Sequence, residues 1–366
     1  PTAVMATLIT VSMPVSYMGM ISMIIAGGTI ISSLNSDRLI KKLGTGMLTV
    51  ISVAMTAVGL WGFSMSHSFI MLCVFAVPYG LGAGSVDAAL NNFVALHYKA
   101  RHMSWLHCFW GIGATLGPYI MGYFLTAGRS WNTGYRSVFI IQVILVAILI
   151  FSLPLWKKNE QESAGQDDTK KTISIKNLLK IEGAKPVLIA FLCYCALEST
   201  AGLWGSSYLV MEKGISSQTA AKWISLFYFG ITFGRFLNGF LAMKLSNRNM
   251  IRIGQGIAVL GILVLLAPLG KLGLCGGYIL IGMGCAPIYP CLLHETPDNF
   301  GKDLSQAIMG IQMACAYVGS TFMPPLFGLI AEHVNIKLYP FYLLLFVIVM
   351  IIMVERLNSV RDKKTV

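Results

Sequence analysis

Charge is what this sequence lacks. Asp, Glu, Lys and Arg together make up 11% of its 366 residues, and only 15 of those residues are acidic. Soluble domains carry about 25% charged residues, so a water-soluble globular fold is excluded. There is no phosphate-cradling Gly loop ending in Lys-Ser/Thr, no dinucleotide-binding Gly motif, no His-Glu-x-x-His and no Cys/His zinc spacing. ATP-driven pumping and metal-dependent hydrolysis therefore lose support, the chain does not read as an enzyme, and neither cofactor nor metal is expected. The eight Cys all fall in or at the ends of apolar stretches, and Cys193 and Cys195 point to different sides of a helix. They read as small apolar residues rather than a disulfide or metal pair.

What is present is apolar sequence, 56% of the chain, in runs of about 20 residues that recur from end to end. Each run is long enough to cross a hydrocarbon core of roughly 30 Å. Gly is abundant, 37 residues, and suits close helix packing in a bilayer. The implied class is an all-α polytopic membrane protein. Eleven spans are expected, near 14–36, 45–65, 69–97, 103–127, 134–156, 186–211, 219–243, 249–268, 272–293, 304–331 and 338–355.

The net charge of +12 signals orientation rather than nucleic-acid binding. Taking the segment 37–44 as a cytoplasmic loop, the loops on that side hold twenty Lys/Arg, seven of them in 157–185, and the opposite loops hold six. By the positive-inside rule the C-terminus is cytoplasmic. Arg235 alone remains deep inside a span; Arg136, Lys222 and Arg252 lie within three residues of a span's start and count with the adjoining loops. The stretch 157–185 divides the chain into an N-terminal half, 1–156, a solvated cytoplasmic linker, and a C-terminal half, 186–366. A short interfacial helix over Ile173 to Ile181 and a disordered loop are both open readings of the linker's one apolar patch.

The halves repeat weakly. At an offset of 203, Ala26-Gly27-Gly28-Thr29 aligns with Phe229-Gly230-Ile231-Thr232, and Leu34-Asn35 with Leu237-Asn238. At 206, Gly113, Pro118 and Gly122 align with Gly319, Pro324 and Gly328. By this register the span 186–211 has no counterpart beyond about residue 8. The chain therefore reads as two pseudo-symmetric six-helix halves with eleven of twelve helices present, residues 1–12 lying on the outer side.

Twelve helices in two halves joined by a basic loop resemble the major facilitator superfamily. The residues carrying the resemblance are Asp37-Arg38 followed by Lys41-Lys42, similar to that superfamily's signature loop. A finer resemblance is to the fucose permease branch, through Gly82-Ala83-Gly84-Ser85-Val86-Asp87 with Asn91 four residues on, and through Trp105-Leu106-His107-Cys108-Phe109-Trp110-Gly111. This branch places a membrane carboxylate where Asp87 stands. The resemblance implies alternating access about a midplane site and a cytoplasmic gate at Asp37 and Arg38. A solvated loop remains the alternative for that pair. Lacking one cavity-lining span, the chain as given is expected not to transport.

A carboxylate near the middle of a span costs about 2.5–3.5 kcal/mol on insertion scales, which asks for a function. Asp87 and Glu198 are the two cases, read as proton-coupling groups or, alternatively, as packing carboxyls. Asn91 shares a helix face with Asp87. His107, Gln142, Tyr289 and Gln312 offer polar groups within spans, and Trp110 and Trp204 offer faces on which a sugar could stack. Each also has a packing reading. Arg235 is expected to pair with Glu295 as a structural latch or gate, with solute contact as the alternative.

The resulting reading is a secondary active transporter of a sugar or similar small polar solute, proton-coupled, with Na⁺ in place of H⁺ left open. It is a monomer in a bacterial plasma membrane. A proton-coupled efflux antiporter of amphipathic compounds and a non-transporting receptor or scaffold are the rivals.

Overall fold

The computed structural model describes residues 16–163 and 174–365. The expected outer placement of residues 1–12 and the middle of the linker lie outside the described residues. Among those described, helices α1 (Ser16–Met65), α2 (Phe69–His97), α3 (Ala100–Thr126) and α4 (Trp131–Ser163) precede a single turn, α5 (Ile175–Leu178). There follow α6 (Ala184–Met211), α7 (Ser217–Leu241), α8 (Asn247–Leu266), α9 (Gly270–His294), the short α10 (Thr296–Phe300), α11 (Lys302–Ile330) and α12 (Tyr339–Thr365). Counting α1 twice, because it bends at Gly44, these supply eleven spans.

Three boundaries differ from the sequence reading. The segment 37–44 is helical through Leu43, because nothing before Gly44 breaks the helix and Lys41 lies 2.8 Å from Asp37 one turn earlier. Only Gly44, at φ 74°, turns the chain. Of the linker's apolar patch, Ile173 lies outside the described residues and Ile175–Leu178 forms a single helical turn. The last helix runs ten residues past its expected end, since Arg252 forks onto Glu355 at 2.7 and 2.6 Å and Arg248 onto Asp362 at 2.9 Å for both bonds.

The helices pack into two units, 1–93 with 113–173 and 94–112 with 174–366. In the first, Ile21, Leu60, Phe63, Leu72 and Ala76 form a core. In the second, Phe191, Leu197, Phe227, Ile231 and Ile281 are buried. Large apolar side chains are exposed, Phe151 at 85% and Leu272 at 88%, as expected where lipid is the solvent.

Glycine seams build both units on one plan. In the first, a Cβ at Gly80 would strike the Ile25 carbonyl, one at Gly82 the Ser52 carbonyl, and one at Gly59 would lie 3.1 Å from the Phe75 carbonyl. Adding 202 to each number gives the second unit: Gly282 lies against Phe227, Gly284 against Gly254 and Gly261 against Gly277. Gly28 over Gly80 and Leu81 becomes Gly230 over Gly282 and Met283. The packing register is thus 202, correcting the 203 read from letter matches. Gly27 meets nothing within 4 Å, whereas its neighbour Gly28 is the packed residue. Towards the end of each half the partners differ. Gly319 and Gly328 seat Leu192 and Trp204 of α6, while Gly113, Gly117 and Gly122 meet nothing within 4 Å among the described residues.

Candidate functional site

In the first unit, the run Gly80, Gly82, Gly84 pulls α2 against both arms of α1, because a bare backbone lets helices touch. Ser33 Oγ donates to the Gly84 carbonyl at 3.1 Å and pins the crossing. Asp87 follows one turn later and is half-buried. Asn91 Nδ2 donates to Asp87 Oδ1 at 2.9 Å, so the pair shares a face as expected from its spacing. Gln142 is occupied elsewhere: its Oε1 accepts from Thr56 at 3.0 Å, tying α4 to α1. Asp37 is buried against Lys41, and Arg38 is exposed.

The second unit holds a different constellation, assembled by α6, α7, α9 and residues 94–112. Arg235 is 3% exposed. Its Nη1 donates to the His107 carbonyl and its Nη2 to the Tyr194 hydroxyl, both at 3.3 Å, and Glu198 Oε2 lies 3.7 Å from Nη2. Trp110 covers the guanidinium at 5.3 Å from Cζ to the ring centre. Tyr289 packs its ring on His107 at 4.9 Å, Phe191 at 5.2 Å and Tyr194 at 5.5 Å, and donates its hydroxyl to Met313 Sδ at 3.2 Å. At the 202 register Tyr289 occupies the position that Asp87 holds in the first unit.

The expected Arg235–Glu295 pair does not form. Glu295 lies past the end of α9 and meets Arg361 of α12 at 3.2 Å, whereas Arg235 sits within α7 beside Glu198. The two acids differ in depth, and depth decided the partner. Burial holds the Glu295 carboxyl above the usual range, against the opposing pull of Arg361.

Two other expected site residues make their contacts elsewhere in the second unit. Trp204 Nε1 donates to the Pro324 carbonyl at 2.8 Å and its ring stands on Phe327. Gln312 is fully buried and its Oε1 accepts from Thr296 at 3.1 Å. Neither joins Arg235 and Glu198. Tyr194 was missed by the sequence reading, although it lies one turn before Glu198 and therefore on its face.

The site's setting agrees with relatives outside this chain. The Major Facilitator Superfamily profile matches residues 2–304 and 187–365. "Bypass of stop codon protein 6" of Saccharomyces cerevisiae is 24% identical over 86% of this chain and 69% of its own length. The glucose/mannose transporter GlcP of Bacillus subtilis is 24% identical over 79% of this chain and 73% of its own. Among solved structures, the E. coli fucose:proton symporter superposes with a TM-score of 0.74 at 17% identity, covering 93% of this chain and 90% of that one. With eleven long helices among the described residues, a recurring helix plan and this profile over nearly its whole length, the chain belongs to the Major Facilitator Superfamily and is a membrane transporter, not an enzyme.

Proposed function

We propose that this protein carries a sugar or similarly small polar solute together with protons, exposing the solute alternately to the two sides of the membrane. The observation that carries the reading is the Asp87–Asn91 pair: a membrane carboxylate on a glycine-seamed helix, half-buried and accepting a hydrogen bond from the amide one turn on. Such a group is expensive where it stands, and carrying a proton across the membrane is a function that accounts for it. Glu198 is the second candidate proton group. Asn91, His107 and Tyr289 are candidate solute contacts, and Asp37 with Arg38 a candidate gate. The sugar transporters among the relatives support the solute class. The basic loops support a cytoplasmic C-terminus, in what we read as a bacterial plasma membrane.

The test is Asp87→Asn in cells expressing the gene. It keeps shape and hydrogen bonding and removes titration, so uphill accumulation should vanish while solute exchange persists. Unimpaired uphill accumulation would refute the proton-carrier role.

A further inference from the structure

We propose that Arg235 is a specificity residue for an anionic group, and that the solute taken by this transporter carries a carboxylate, as a sugar acid or hydroxy acid does. The inference rests on the carrier reading and narrows its solute class.

A guanidinium has five N–H donors in a planar fork. Arg235 is nearly fully buried, yet uses two of them at 3.3 Å, on a carbonyl and a hydroxyl. Its Nε–H is buried with no hydrogen-bond partner. Glu198, the one carboxylate paired with it among the described residues, stands 3.7 Å from Nη2. Charge-assisted N–H to carboxylate bonds run about 2.7–2.9 Å. The same unit shows what an unconstrained pair does: Arg248 and Arg252 both grip their carboxylates through two bonds of 2.6–2.9 Å. Arg235 and Glu198 are therefore neighbours without being a closed pair.

Leaving a buried donor of this kind unmet is costly, and a partner that arrives from outside and fills it gains what the resting protein forgoes. Trp110 over the guanidinium and the contacts to His107 and Tyr194 hold the fork in place, so little ordering remains to be done on binding. Trp110, which stacks on the guanidinium, is itself 57% exposed and Glu198 partly so, so a solute that displaces the Trp110 ring would reach the fork. A planar carboxylate is the group that takes two parallel N–H donors, and a neutral hydroxyl is not. Glu198 would then compete with the solute for Arg235.

That competition gives the test its sign. The full-length protein, purified in detergent, is titrated with matched pairs, glucose against gluconate and galactose against galacturonate, reading thermal stabilisation and Trp fluorescence. The acid of at least one pair should bind and its neutral twin should bind at least about thirty-fold more weakly, the ratio for losing a buried charged partner. Arg235→Lys keeps the charge and loses the fork, and should erase that ratio. Glu198→Gln removes the competing anion and should tighten acid binding without improving the neutral sugar. Neutral sugars binding as well as the acids, or Glu198→Gln weakening the acid, overturns the proposal and leaves the carrier reading standing. Binding of neither class overturns the proposal, while acid binding without any uptake in cells would refute the carrier reading alone.

Discussion

The glycine seam between α8 and α9 makes a quantitative demand on two residues of one helix. A Cβ at Gly261 would stand 2.7 Å from the Ile281 backbone nitrogen and 2.8 Å from the Gly277 carbonyl oxygen, whereas one at Gly256 meets nothing within 4 Å. Ordinary carbon-to-oxygen packing needs about 3.3–3.6 Å, so Gly261→Ala must push two backbones apart by roughly 0.5–0.9 Å. Overpacking of this kind costs about 1–3 kcal/mol. Both substitutions gain the same helix propensity, so that gain cancels in the comparison. At about 2–4 °C per kcal/mol, Gly261→Ala should melt roughly 2–12 °C below Gly256→Ala in detergent, followed by Trp fluorescence. The 202-residue register adds a second demand: Gly59→Ala, with the Tyr79 Cβ at 2.7 Å, should behave like Gly261→Ala. Equal melting of Gly256→Ala and Gly261→Ala would refute the seam, and a harmless Gly59→Ala would refute its recurrence.

Gly28→Ala should lower the melting temperature while Gly27→Ala does not, since only Gly28 faces the α2 backbone, at 3.1 Å from Leu81 N. Trp204→Phe leaves the Pro324 carbonyl without its donor and should cost about 1 kcal/mol of stability, read as thermal melting, with solute affinity unchanged. Glu295 has a folded pKa raised above its ordinary 4.5, so its favourable contribution is present below that value and is lost as pH rises through the folded pKa. Removing the opposing cation with Arg361→Met should push the folded pKa further up. The variant's loss of thermal stability should then grow between pH 5 and pH 8; a loss independent of pH would show that the pair acts through packing alone.

Helix class and the approximate spans were readable because a bilayer imposes one length scale on every apolar run, and the described residues hold a long helix at each of the eleven. The break at Gly44 was misplaced because charged residues look like a loop, although Asp37 and Lys41 at i,i+4 support a helix. The repeat register was off by one because identical letters pair Gly27 with Gly230, while the packed residues are Gly28 and Gly230. The Asp87–Asn91 contact follows from helical spacing and was visible in the sequence. The Arg235 surroundings were not. Tyr194, Glu198, His107 and Trp110 reach it from other helices, and a single sequence carries no record of which helix faces which. The choice of Glu295 as its partner followed charge and ignored depth.

The central claim is that solute and proton move together through Asp87. The most direct measurement is the external pH of a weakly buffered suspension of de-energised cells expressing the gene, recorded as the solute is added. The medium should turn alkaline as protons enter with the solute, Asp87→Asn should abolish this signal, and the variant should still exchange labelled solute. Undiminished alkalinisation in Asp87→Asn would contradict that claim.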